Sequence, residues 1–139
     1  MPDQAPLVGI VIVSHSSALA TGVVEVAAQM AGPALSLTAV GGAPTGGLGT
    51  DADRIASAIV AADSGAGVLV IGDLGSAILA TETAIETMPE GTAQRVRISG
   101  GPIVEGAVLA AVQASIGESL DEVLAAAESA RELDKGVRR

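Results

Sequence analysis

No cysteine, phenylalanine, tyrosine or tryptophan occurs in the 139 residues, and histidine and lysine occur once each. Without cysteine, disulfides, zinc–thiolate sites and cysteine nucleophiles are excluded. That usage suits an intracellular protein, and the expected location is the cytoplasm. Without aromatics, the core must be built from Val, Ile, Leu, Ala and Met. The lone lysine, Lys135, lies next to the C-terminus, so lysine-based catalysis in the body of the domain is excluded. No apolar run approaches the ~20 residues of a membrane span. Met1-Pro2-Asp3-Gln4-Ala5-Pro6 has no basic segment before the apolar run, so a signal peptide is not expected there.

Positive charge is also scarce. Seven basic residues face 16 acidic ones, for a net charge of −9. No basic patch is available to neutralise phosphates, which opposes nucleic-acid binding. Acidic membrane surfaces are disfavoured for the same reason, and a basic protein partner would be steered towards the chain.

What is present is a packed-core composition, 49% hydrophobic, of a size that fits one domain. Four β-like runs recur: Leu7–Val13, Leu35–Val40, Val68–Ile71 and Val96–Ile98. They do not alternate with polar residues, which marks strands covered on both faces, as in a parallel sheet. Helical patterns fill the spaces between them. Ser17 to Met30 carries Leu19, Val23, Val26, Ala27 and Met30 as an apolar face. Thr50 to Ala62 opens with Thr50 as the expected cap and Asp51 and Asp53 in the first turn. Ser76 to Thr87, carrying Ile78, Leu79 and Ile85, and Ile103 to Ala114 follow, the latter entered through Pro102. A last helix runs from about Ser119 to Glu132, and the tail Asp134–Arg139 is expected to fray. The order predicts an α/β fold: a doubly wound, mainly parallel four-stranded sheet flanked by helices, with right-handed crossovers.

All strands of such a sheet end at one edge, where ligands gather. That edge collects His15, the Gly41–Thr50 loop, Asp73 with Ser76, and the Gly100-Gly101-Pro102 turn. His15 is either a turn or cap residue, or a nucleophile or proton carrier near neutral pH. Asp73 is either a turn aspartate or the group that fixes the tautomer of His15 and leaves its other nitrogen free. Ser14, Ser16 and Ser17, with the N-terminus of the next helix, suit an anion. The Gly-rich loop would let backbone N–H groups approach a phosphate. It has no lysine, so it is not a P-loop. A Ser-His-Asp triad through Ser76 stays open, although Gly75-Ser76-Ala77 is no nucleophile elbow. A receiver-like sensor with Asp73 as phosphoryl acceptor would want a lysine near this edge, and none is there. Glu82 and Glu86 read as a solvated helix face, and Glu105 is a candidate acid by type only.

Five stretches then occur in a recognisable order: Val11-Ile12-Val13-Ser14-His15-Ser16, Gly49-Thr50-Asp51, Asp73-Leu74-Gly75-Ser76-Ala77, Glu82-Thr83-Ala84 and Pro102-Ile103-Val104-Glu105-Gly106. Over about Leu7 to Ala130 the chain resembles the mannose-type EIIA domains of the phosphotransferase system (PTS), and among them the DhaM family of PTS-dependent dihydroxyacetone kinases. The resemblance implies a single EIIA-type domain over residues 1–139, with a core of about 7–130 and a flexible C-terminal tail. It implies that His15 takes a phosphoryl group from the phosphocarrier HPr and passes it to ADP held on the DhaL subunit. ATP and magnesium then stay on DhaL, and dihydroxyacetone is phosphorylated on DhaK. The chain would hold no cofactor or metal of its own. Asp73 would orient His15, with Ser14, Ser16, Thr45, Gly46, Gly75 and Ser76 supporting the phosphate. A homodimer is expected. The alternative is a mannose-type sugar EIIA that donates to an EIIB protein.

Overall fold

Unbroken β-branched runs need cover on both faces, and each of the four becomes a strand of one all-parallel sheet in the computed structural model, which describes residues 5–138. Met1–Gln4, part of the stretch read for a signal peptide, and Arg139 lie outside the described residues. The strands are β1 (Gly9–Ser14), β2 (Leu37–Gly41), β3 (Val68–Gly72) and β4 (Val96–Ser99), in the spatial order β2-β1-β3-β4. Register pairs Ile12 with Ala39 on one side and with Ile71 on the other. The helices are α1 (Ser17–Ala28), α2 (Ala52–Ala62), α3 (Gly75–Glu86), α4 (Glu90–Ala93), α5 (Ile103–Ser115) and α6 (Leu120–Ser129), followed by a 3₁₀ turn at Ala130–Glu132.

Strand alternation divides the core in two. Ile10, Ile12, Leu69 and Ile71 face α1, α5 and α6. Val11, Val13, Val68 and Val70 face α2 and α3. Each fully buried Ile contributes about 1.5–3 kcal/mol over its exposed state. The helix faces turned inward are built largely from small residues. Ala20 and Ala27 of α1, Ala107, Ala110, Ala111 and Ala114 of α5, and Ala127 of α6 are all fully buried. Gly101, just before α5, continues this close packing: a Cβ there would lie 2.5 Å from the carbonyl oxygen of Ala127.

Several expectations are corrected. Leu19 and Val26 of α1, and Met30 just beyond it, are exposed, and Ala20, Val23 and Ala27 take the buried stripe. Leu79 is likewise exposed on α3, where Ala77, Thr81 and Ala84 face inward. The cap of α2 is Asp51, not Thr50, because its carboxylate accepts from the Asp53 N–H at 3.0 Å. The short α4 has no counterpart in the sequence reading. In the exposed C-terminal segment, Lys135 Nζ lies 2.6 Å from Glu105 Oε2.

The strand order matters for the site. The chain leaves β1 for one edge and β3 for the other, so α1 and α3 begin on opposite faces of the sheet. The crevice between the carboxyl ends of β1 and β3 is the switch point at which such sheets bind ligands.

Candidate functional site

His15 follows the last residue of β1 and Asp73 follows the last residue of β3, so parallel pairing delivers both to that crevice. The Asp73 N–H extends the ladder by donating to the Val13 carbonyl at 3.1 Å. This fixes the carboxylate under the imidazole. His15 Nδ1 stands 2.9 Å from Asp73 Oδ1. The Leu74 N–H also donates to Oδ1, at 2.8 Å. Oδ2 accepts from the Ser14 hydroxyl at 2.8 Å and from the His15 N–H at 3.0 Å. Four donors thus converge on one carboxylate.

Burial pushes the Asp73 carboxyl up. The hydrogen bonds from the His15 N–H, Ser14, the His15 ring and the Leu74 N–H outweigh it, leaving the group below its ordinary value. An ionised Asp73 makes Nδ1 the protonated nitrogen, so Nε2 carries the lone pair. The Ser76 hydroxyl lies against Nε2 and donates to it. The side chain of His15 is 24% exposed and that of Asp73 only 10%, so the ring is open to an incoming group while its carboxylate is sheltered.

Local chemistry explains the surroundings. Ser16 caps α1, its hydroxyl accepting from the Leu19 N–H at 3.1 Å, which leaves its own proton free for an anion. Gly75 and Ser76 open α3, whose cap position, Leu74, supplies no side-chain bond. The first N–H groups of that helix therefore have no capping side chain. Gly41 is required by close approach, since a Cβ there would lie 2.6 Å from the Ser16 carbonyl oxygen.

The structure brings together Ser14, His15, Ser16, Asp73, Gly75 and Ser76. Two expected contacts are reassigned. Ser14 is fully buried and its hydroxyl donates to Asp73. The Gly46 N–H is committed to the Ala43 carbonyl at 3.0 Å, inside the loop. Thr45 sits exposed on that loop, outside the hydrogen-bonded group around His15. The loop meets the site through Gly49 instead, whose N–H donates to the His15 carbonyl at 2.8 Å. Glu82 and Glu86 are exposed on α3, as their spacing implied, and Glu105 is paired with Lys135. Sequence reasoning had no signal for the convergence on Asp73, because two of its four donors are main-chain groups.

Fold and site together define a doubly wound parallel α/β domain whose one histidine is held by a carboxylate at the switch point. Residues 9–124 match the EIIA-man family model, described as the fructose IIA component of the PTS, and the chain belongs to that family, on its DhaM side. A relative from Listeria innocua, the phosphoryl donor subunit DhaM of a PEP-dependent dihydroxyacetone kinase 2, is 36% identical, with 85% of this chain and 94% of the relative covered. The DhaM subunits of Escherichia coli and Providencia stuartii are 40% and 38% identical over 85% and 89% of this chain. The chain spans only about a quarter of those two, 26% and 27% of their lengths. A crystal structure of a protein of unknown function, EF1359, superposes with a TM-score of 0.83 at 34% identity, covering 95% of this chain and 99% of that one. A sigma-54 interaction domain protein from Enterococcus faecalis shares the fold, with a TM-score of 0.71 at 16% identity over 93% of each chain. Among the described residues no helix is long and apolar enough to cross a membrane.

Proposed function

We propose that the chain is a phosphohistidine carrier of a PTS-dependent dihydroxyacetone kinase and that Nε2 of His15 holds the phosphoryl group. The observation that carries this reading is the His15 Nδ1–Asp73 Oδ1 pair at 2.9 Å under a partly exposed ring. An imidazole held this way has one nitrogen fixed as a donor and the other presented as a nucleophile.

The Nε2 lone pair attacks the phosphorus of phosphorylated HPr. The new N–P bond forms as the P–N bond to the HPr histidine breaks. Positive charge that develops on the ring is met by the Asp73 carboxylate. Ser76 turns away from Nε2 to admit the phosphorus, and its hydroxyl then donates to a phosphoryl oxygen. Ser16 and the first N–H groups of α3, at Gly75 and Ser76, supply further donors. In the second step an oxygen of the terminal phosphate of ADP, held with magnesium on DhaL, attacks the same phosphorus. The P–Nε2 bond breaks, ATP forms, and His15 returns with its lone pair. DhaL–ADP and DhaK are thus the proposed acceptor complex, and the carrier acts as a homodimer. The relatives, each a phosphoryl donor or phosphotransferase subunit DhaM of a dihydroxyacetone kinase, support a role in that kinase system.

A second reading, a sugar EIIA that donates to an EIIB protein, is favoured by the family model's description as a fructose IIA component. One experiment separates the two. The protein is labelled with phosphoenolpyruvate, Enzyme I and HPr, then divided between DhaL–ADP and a mannose-type EIIB. Discharge to ADP with formation of ATP is the expected result. Discharge to EIIB alone would select the sugar reading.

A further inference from the structure

The structure assigns to Ser14 a role as a positioning residue for His15, exerted through the second oxygen of Asp73. The inference rests on the phosphohistidine reading above and adds to it a residue that touches neither the phosphoryl group nor the ring.

Ser14 is the last residue of β1 and is fully buried. Its Oγ has two partners and both bear on the site. It donates to Asp73 Oδ2 at 2.8 Å, and it accepts from the Ser16 N–H at 3.0 Å. The second bond orients the first. With the Ser16 N–H occupying a lone pair of Oγ, the hydroxyl proton is directed towards Asp73 rather than free to rotate. Ser16 is also the cap of α1, so the same hydroxyl ties the start of that helix to the carboxylate at the end of β3.

A carboxylate can pivot about its Cβ–Cγ bond, and two donors on one oxygen and two on the other oppose that pivot. Oδ1 is held by Leu74 and the ring, and Oδ2 by Ser14 and the His15 N–H. Of the three donors besides the ring, Ser14 alone is a side chain, so it is the one that substitution can remove while the backbone stays in place. Its loss frees one side of Oδ2, leaves the Ser16 N–H without its acceptor, and loosens the alignment of Oδ1 with Nδ1–H. An imidazole released from that alignment returns towards its intrinsic preference for a proton on Nε2, the atom that must carry the lone pair.

The test uses Ser14→Ala and Ser14→Cys. Cysteine restores the volume but is a weak donor, so the two variants separate packing from hydrogen bonding. The tautomer of His15 is read from the nitrogen-15 shifts of its ring, and phosphoryl transfer from phosphorylated HPr is followed in parallel. Wild-type protein is expected in the Nδ1–H form. Both variants should gain a fraction of the Nε2–H form. Both should transfer about tenfold more slowly, the loss that one hydrogen bond to a charged group supports, with half-saturation in the donor unchanged. Restoration of transfer by cysteine would make Ser14 a packing residue and overturn the assignment. So would a wild-type tautomer in both variants, or an altered tautomer with wild-type transfer. The tautomer is measured without any phosphoryl donor. Failure of the wild-type protein to accept phosphate would therefore count against the carrier reading, while an unmoved tautomer counts against the role of Ser14.

Discussion

The imidazole of His15 and the carboxylate of Asp73 meet at 2.9 Å although 58 residues separate them, because adjacent parallel strands end side by side. The sheet places the pair, and no loop has to close to form it. Asp73→Asn keeps the shape but removes the charge that selects the tautomer. The expected outcome is phosphoryl transfer slowed by about 10- to 100-fold, from a charge-assisted hydrogen bond of about 1.5–3 kcal/mol. Stopped-flow quenching with labelled HPr measures this. Unchanged kinetics would remove Asp73 from the mechanism.

Ser76 separates carrier from triad chemistry. In the resting protein Ser76, His15 and Asp73 form a hydrogen-bonded chain in the order of a hydrolytic triad. If histidine carries the group, Ser76→Ala still accepts phosphate, and the bound phosphate stays acid-labile and base-stable. If serine carries it, the variant takes no label and wild-type label is acid-stable. The first outcome is expected, with a shorter lifetime of the phosphorylated variant because one donor to the phosphoryl group is gone.

Gly41→Ala tests the packing that supports the site. The added Cβ would press on the Ser16 carbonyl oxygen at 2.6 Å and the Ser17 Cα at 2.9 Å, which are backbone atoms that cannot rotate aside. Destabilisation of about 1–3 kcal/mol is expected, read as a lower midpoint in urea, together with slower transfer as the His15–Ser16 segment is displaced. A variant as stable and active as wild type would show that this approach is not tight.

Two carboxylates shape the acid response. Arg95 holds Asp63 below its ordinary value through paired hydrogen bonds, with the Gly65 and Gly67 N–H groups adding to this against the effect of burial. Asp73 is also lowered, its burial outweighed by its four donors. Groups with depressed folded-state values contribute stability that is fully present above the unfolded value of about 4 and is lost as pH falls through the folded values. The urea midpoint should therefore change little on this account between neutral pH and about pH 4 and fall below it. Asp63→Asn should flatten that fall. A midpoint that rises on acidification would contradict the sign.

Much of the fold was legible because apolar β-branched runs and Gly-rich turns report parallel strands directly. The edge that gathers His15, Asp73 and Ser76 follows from parallel topology and does not depend on the strand order. The helix faces were misread for a physical reason. Large hydrophobes were assigned inward, yet Leu19, Val26, Met30 and Leu79 point outward while Ala20, Ala27, Ala77 and Ala84 pack on the sheet. In a core without aromatics, close approach of small residues takes the place of bulk. Strand ends were cut short at the first polar residue, although Ser14 and Ser99 remain in the backbone ladder, which does not depend on side-chain polarity. The direction of the Ser14 hydroxyl and the fold-back of Lys135 onto Glu105 depend on three-dimensional placement, for which one sequence carries no periodic signal.

Phosphoryl transfer as proposed requires that Nε2 of His15 receives the phosphate. Protein labelled from phosphoenolpyruvate through Enzyme I and HPr is examined by phosphorus-31 and nitrogen-15 NMR, alongside His15→Ala. A single phosphohistidine with its N–P bond at Nε2, absent from the variant, is the predicted result. A bond at Nδ1, the nitrogen that faces Asp73, or label that persists in His15→Ala, would contradict it.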